Sequence, residues 1–207
     1  MGGCKHVNKY EIPCISPSTR EAKRKMIYRK RIRLRGVERN DIPRFYDWLN
    51  DPEVTEGLSL YLPISMADEE KWFDRVAHAE ENEKPLAIEL KDGDDWRLIG
   101  NSGIFNLEWT NRCAELGIFI GDKSLWNKGY GTEAVELILK HGFETLNLNR
   151  IYLRVYSTNP RATHSYKKAG FILEGIMREA VYRHGKYADI HMMSVLRSEW
   201  DARREGK

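Results

Sequence analysis

The most chemically suggestive stretch is Asn127-Lys128-Gly129-Tyr130-Gly131, where two glycines flank one residue. An apolar run at 116–120 precedes it, and Val135, Ile138, Leu139 and Leu146 follow at helical spacing. A strand, a glycine turn and a helix start make a ready anion site. First-turn N–H groups lack helical partners, and the macrodipole adds partial positive charge. Glycine, without a Cβ, lets the backbone approach a phosphate, and Lys128 adds a mobile cation. Alone, such a turn fits a plain strand-to-helix connection equally well. A second cluster follows about one βα unit later: Asn159-Pro160-Arg161-Ala162, then Tyr166, Gly170 and Phe171. Asn159 suits a helix cap, Pro160 its first turn and Gly170 its stop.

Around these clusters the periodicity predicts the supporting elements. Residues 27–35 alternate, with Ile32 and Leu34 opposite Arg31, Arg33 and Arg35, giving a first strand with one buried face. Asn40-Asp41 caps a helix whose Ile42, Phe45 and Leu49 share a face, and Asp51-Pro52 ends it. Residues 53–62 read as irregular. Ser65 and Asp68 form a capping box ahead of Trp72, Phe73, Val76 and Ala77, and the charged run 80–84 closes that helix. Residues 86–90 and 96–109 form a hairpin about Asp92-Gly93-Asp94, with Gly100 and Gly103 marking a bulge or bend. Asn111-Arg112 turns the chain into the strand at 116–120, and 151–156 is a further strand. Residues 171–183 and 186–197 pair about His184-Gly185, and bulk on both faces of the second arm makes it an interior strand. Strands, then βαβ, then a hairpin define an α/β (α+β) fold. The expected core is a mixed, mostly antiparallel twisted sheet of about six or seven strands, with about four helices on both faces.

At 207 residues, one domain over 26–207 is expected, behind a flexible basic extension at 1–25. Residues 1–36 hold 11 Lys/Arg against 2 Asp/Glu, so the remaining 23 against 29 leave a body of net −6. An acidic body favours a cationic amine as substrate. The basic arm lacks the interleaved aromatics of a base-stacking surface, so nucleic acid is not the expected partner. No apolar run nears the ~20 residues of a membrane span, and no apolar leader opens the chain. Met1-Gly2 begins like a myristoylation signal, but His6 stands where Ser or Thr is required. Three cysteines without repeated spacing argue against a disulfide framework, and Cys4, His6 and Cys14 do not read as a metal site. A cytoplasmic protein without metal is expected.

The two clusters together resemble the signatures of the acetyl-CoA-dependent GNAT superfamily of N-acetyltransferases. Its first signature is Gln/Arg-x-x-Gly-x-Gly/Ala, here Trp126-Asn127-Lys128-Gly129-Tyr130-Gly131 with Trp126 in place of Gln or Arg. Its second is Asn-x-x-Ala-x-x-x-Tyr-x-x-x-Gly-Phe, matched at Asn159, Ala162, Tyr166, Gly170 and Phe171. The resemblance spans 31–200 and looks closest to the branch of ribosomal-protein alanine and spermidine acetyltransferases. It implies acetyl-CoA as cosubstrate and a primary amine as acceptor: a protein N-terminus, a polyamine or another small amine. It also implies a dimer through the final hairpin, and an acceptor groove built from 53–62 and that hairpin.

Attack by an amine on a thioester needs a neutral amine, donors for the oxyanion and stabilisation of the leaving thiolate. The resemblance implies a place for each. The strand carrying Ile118, Phe119 and Ile120 runs beside the pantetheine arm. The loop Lys128-Gly129-Tyr130-Gly131-Thr132, entered through Trp126 and Asn127, holds the diphosphate. Asn159 bonds the arm, and Tyr166, on the same helix as Ala162, reaches the sulfur as general acid. Glu115, at the start of the central strand, is the candidate base, ahead of Glu108 and Asp189; His164 and His191 read as structural. A water chain can serve instead of any single base. Two other readings stay open: a CoA-binding module without catalysis, and a ribosome- or RNA-associated module using the basic arm.

Overall fold

The computed structural model describes residues 26–80 and 84–205. The expected extension at 1–25, with Cys4, His6 and Cys14, lies outside the described residues. So does most of the charged run at 80–84.

The chain in order gives β1 (Ile27–Tyr28), β2 (Ile32–Gly36), α1 (Ile42–Leu49), α2 (Pro52–Thr55) and α3 (Met66–Ala77). Next come β3 (Leu86–Asp92), β4 (Asp95–Glu108), β5 (Cys113–Ile120), α4 (Tyr130–Lys140) and β6 (Arg150–Tyr156). The last are α5 (Pro160–Ala169), β7 (Ile172–Arg183), β8 (Lys186–Leu196) and α6 (Arg197–Glu205). The strands form one sheet in the order β1-β2-β3-β4-β5-β6-β8-β7. Every neighbouring pair is antiparallel except β5 and β6. The mixed, mostly antiparallel sheet is the one expected, with an eighth strand because the chain breaks at Arg29–Arg31 and folds Ile27–Tyr28 back onto β2. As expected, β8 is interior, and His184-Gly185 closes its hairpin with both residues left-handed (φ 49° and 78°).

Alternation along β5 serves two cores. Leu116, Ile118 and Ile120 join the larger one, which α4 covers with Val135, Ile138 and Leu139. Phe119 joins the smaller one, built on Ile42, Phe45, Trp48 and Val54. Ser65 and Asp68 form the expected capping box on α3.

Four expectations need correction. Arg33 is buried rather than solvent-facing: Arg33 and Arg35 both bond Glu89, and Arg35 grips Asp41 with two bonds of 2.7 and 2.8 Å. The start of α1 covers that face of β2, so the arginines enter with partners. Gly103 lies in regular pairing with Gly117; the Phe105 ring covers both, and a Cβ at either would fall 2.6 or 2.9 Å from it. The register shifts fall instead opposite Ile88/Glu89, beside Gly100 as expected, and at Phe105–Glu108, where Asn106 takes a left-handed φ of 51°. Residues 53–62 are not wholly irregular. Asp51 and Pro52, which end α1, also open α2, since the Asp51 carboxylate accepts from Glu53 N at 3.0 Å. Arg197 is not the end of the last strand but the start of a sixth helix, 197–205, which has no fully buried residue and docks through Trp200 on Phe143.

Candidate active site

The parallel pairing of β5 with β6 covers only Cys113↔Arg150, Ala114↔Ile151 and Glu115↔Tyr152. Beyond it the strands part, although β5 stays paired with β4 to Ile120 and β6 with β8 to Tyr156. The departing half of β5 therefore presents backbone groups to a cleft rather than to a neighbour. The cleft opens into a cavity of 780 Å³ between β5, β6, α4 and α5, with Pro52–Leu58 as one wall.

Most of the residues named from sequence meet there. Ile118, Phe119 and Ile120 line the strand side; Trp126, Asn127, Gly129, Tyr130, Gly131 and Thr132 line the turn; Asn159, Ala162 and Tyr166 line the α5 side. Lys128 stands in the same turn without lining the cavity, and its carbonyl accepts from Arg31.

Ser65 caps α3, Asp51 caps α2, and Asn159 Oδ1 caps α5 through Ala162 N at 3.0 Å. Asp41 stands at the start of α1 but, contrary to expectation, does not cap it, its carboxylate being bonded to Arg35 and Glu38 N. The N-cap of α4 is Gly129, left-handed at φ 84°, and no side chain caps it. Its first-turn amides are left for a ligand along the cavity wall. Asn127 is also left-handed, at φ 61°, so the turn coils tightly around Lys128.

Trp126 spends its indole N–H on Ile120 O at 2.8 Å and packs into the smaller core. The Arg161 guanidinium lies 3.4 Å from the ring centroid. Thr132 Oγ1 bonds Ser165 Oγ at 3.2 Å, tying α4 to α5.

Tyr166 is half-buried, its ring tilted at 58° to that of Phe171 with centroids 5.7 Å apart, and its hydroxyl makes no hydrogen bond among the described residues. Burial pushes its pKa up to about 12. Glu115 is not brought to the cavity. Its carboxylate accepts from Arg154 at 2.8 and 3.2 Å and from Asn106 at 2.9 Å, so it is engaged by a cation and an amide rather than turned to the cleft. Arg154, which sequence reasoning missed, lines the cavity in its place. Glu108 bonds Asn111, and Asp189 caps the β7 irregularity through Glu179 N; neither lines the cavity. His164 does, and His191 does not.

Glu53 and Glu56 stand in the wall, paired with Lys123 at 3.0 Å and His184 at 2.8 Å. The hairpin tip also holds the segment behind them: Arg183 donates to Leu58 O and to Leu60 O, and Ser59 bonds the Tyr156 hydroxyl at 2.9 Å. Gly57 packs on Asn159 so closely that a Cβ would fall 2.4 Å from its Nδ2.

A parted parallel pair, an uncapped glycine-led helix and a tyrosine facing the cleft are the parts of an acyl-transfer site. The family model of the acetyltransferase (GNAT) domain matches residues 31–172, and the chain belongs to the GNAT family of N-acetyltransferases. Its relatives include spermidine and ribosomal N-acetyltransferases. The spermidine N(1)-acetyltransferase of Vibrio cholerae is 31% identical over 173 residues, 83% of this chain and 96% of that protein. An uncharacterized N-acetyltransferase of Bacillus licheniformis is 29% identical over 84% of this chain and 97% of its own length. Among solved structures, the Vibrio cholerae spermidine N-acetyltransferase in complex with CoA and spermine superposes with a TM-score of 0.76. It is 27% identical and covers 83% of this chain and 99% of that one.

Proposed function

We propose that this protein moves an acetyl group from acetyl-CoA to a primary amine of a polyamine, with both substrates bound together so that the amine attacks directly. The parted edge of β5, with an uncapped helix start at one end and Tyr166 facing the cleft, carries this reading. The spermidine N-acetyltransferases of Vibrio cholerae, whose structure holds CoA and spermine, and of Escherichia coli support the acceptor class. The acidic body and the Glu53 and Glu56 wall suit a polycation.

Acetyl-CoA supplies the acetyl group as an activated thioester. The first-turn amides of α4 hold its diphosphate, with Lys128 nearby. The free backbone edge at 116–120 lines the pantetheine arm and offers donors for the oxygen that gains charge. Asn159 keeps the α5 start in place and presents Nδ2 beside Gly57. Tyr166 donates to the departing sulfur. Full transfer from a phenol near 12 to an alkyl thiolate near 8.5 runs uphill by about 5 kcal/mol, so the hydroxyl acts chiefly as a hydrogen-bond donor while the C–S bond breaks. Glu115 acts as a positioning residue for Arg154, and the ammonium proton leaves through water. A homodimer and a cytoplasmic location belong to the same proposal.

Thiol release measured against spermidine, spermine and an alanine-initiated peptide tests the reading. Spermidine or spermine is expected to be acetylated fastest. Turnover with the peptide alone would move the acceptor to protein N-termini, and the absence of thiol release with all three would leave a module that binds CoA without transferring.

A further inference from the structure

We propose that Arg161 is the side chain that grips the CoA diphosphate in this protein, filling the role left when Trp126 took the Gln/Arg position of the glycine turn. The inference rests on the reading that this turn holds the diphosphate.

Three observations carry it. First, the indole is a fixed shelf: its N–H is bound to Ile120 O at 2.8 Å and its body packs with the smaller core. It therefore has no donor left for a ligand. Second, the Arg161 guanidinium lies on that shelf at 3.4 Å, a stacking distance, so one face is covered while its in-plane N–H groups remain at the cavity rim. Stacking lowers the freedom of a long side chain and leaves the bidentate edge that suits phosphate. Third, Arg161 makes no hydrogen bond or ion pair among the described residues, whereas the neighbouring arginines and Lys123 are committed; Lys128 and Lys168 are also without an ion pair there, but neither is seated on an aromatic shelf. Arg31 is held by Glu133, Arg154 by Glu115, and Lys123 by Asp51 and Glu53. Partial loss of water around Arg161 lowers its pKa with no anion to offset it, the condition a bound phosphate would relieve.

Calorimetric titration of the full chain with CoA and with dephospho-CoA, alongside acetyl-CoA kinetics, tests the assignment in wild type, Arg161→Ala, Arg161→Gln and Arg161→Lys. The side chain is exposed at the rim, so these variants are expected to melt with the wild type. For Arg161→Ala the Kd of CoA and of dephospho-CoA should rise alike, about 10- to 100-fold, the range of one charge-assisted contact. KM for acetyl-CoA should follow, with kcat within about twofold. Lysine should restore part of the loss and glutamine less, and the salt dependence of binding should flatten in Arg161→Ala. Wild-type affinity in Arg161→Ala overturns the assignment. A loss confined to CoA, absent with dephospho-CoA, also overturns it by placing the cation on the 3′-phosphate. No uptake of CoA by the wild type would instead remove the reading of the turn on which it rests.

Discussion

At the scale of single residues, the proposed chemistry divides between a donor that faces the cleft and a carboxylate that does not. Tyr166→Phe keeps the ring on Phe171 and loses the hydroxyl. It should lower kcat about 10²- to 10³-fold with acetyl-CoA KM nearly unchanged, as initial rates would show. Glu115→Gln should cost less than about tenfold, because the side chain it would disturb is Arg154. An equal loss in both variants would return Glu115 to the role of base. The phenol's raised pKa has a definite sign. Its folded form binds a proton more tightly than the unfolded chain, so the stabilising contribution is complete below pH about 10 and fades as pH rises towards 12. Between about pH 6 and 9, Tyr166 should therefore add no descending limb to the rate profile. What could be read at this scale without coordinates was whatever lay close in sequence. Asn159, Pro160 and Gly170 cap, open and stop α5 because each acts on its own backbone neighbours. The engagement of Glu115 by Arg154, 39 positions away, follows from how β5 meets β6, and nothing in either local stretch announces it.

At the scale of elements, the instructive departure is the arginine pair of β2. Alternation correctly separates Ile32 and Leu34 from Arg33 and Arg35, but period two says only that faces differ, not which are covered. Here both faces are covered, and Arg33, Arg35, Glu89 and Asp41 satisfy one another between β2, β3 and the α1 entrance. Glu89→Gln removes the shared anion and leaves two guanidinium groups short of charge. Unfolding in urea should show a loss of about 3–5 kcal/mol, far more than an exposed pair contributes. A loss below about 1 kcal/mol would mean that water reaches the cluster. The helices missed from sequence fail for opposite reasons. Pro52–Thr55 is too short to show a period, and Arg197–Glu205 carries too few apolar side chains to show a stripe, docking through Trp200 and through Arg197, Arg203 and Arg204.

At the scale of the whole molecule, the cavity wall is not attached to its own core alone. The β7–β8 hairpin reaches across to the segment behind α2 through Arg183 and through His184 on Glu56. Arg183 also lies over the rings of Tyr61 and Tyr156, at 4.6 and 5.6 Å. Arg183→Ala should loosen residues 56–62 and raise the acceptor KM several-fold while leaving the affinity for CoA near wild type. Amide exchange should quicken in that segment and stay slow in β5 and β6. Unchanged exchange there would show that Gly57 on Asn159 and Ser59 on Tyr156 suffice to hold the wall.

The three-residue join between β5 and β6 has a mechanical consequence. Five strands hang on one side of it and three on the other, and apart from the two-residue β1 at the edge no neighbouring pair in the sheet is joined over so short a length. A cosubstrate lying in the gap would act as a splint across both halves. Melting should then rise with CoA concentration as a mass-action effect, by about 2.7 kcal/mol at a hundred times Kd. The machine would be stiffest when it is loaded.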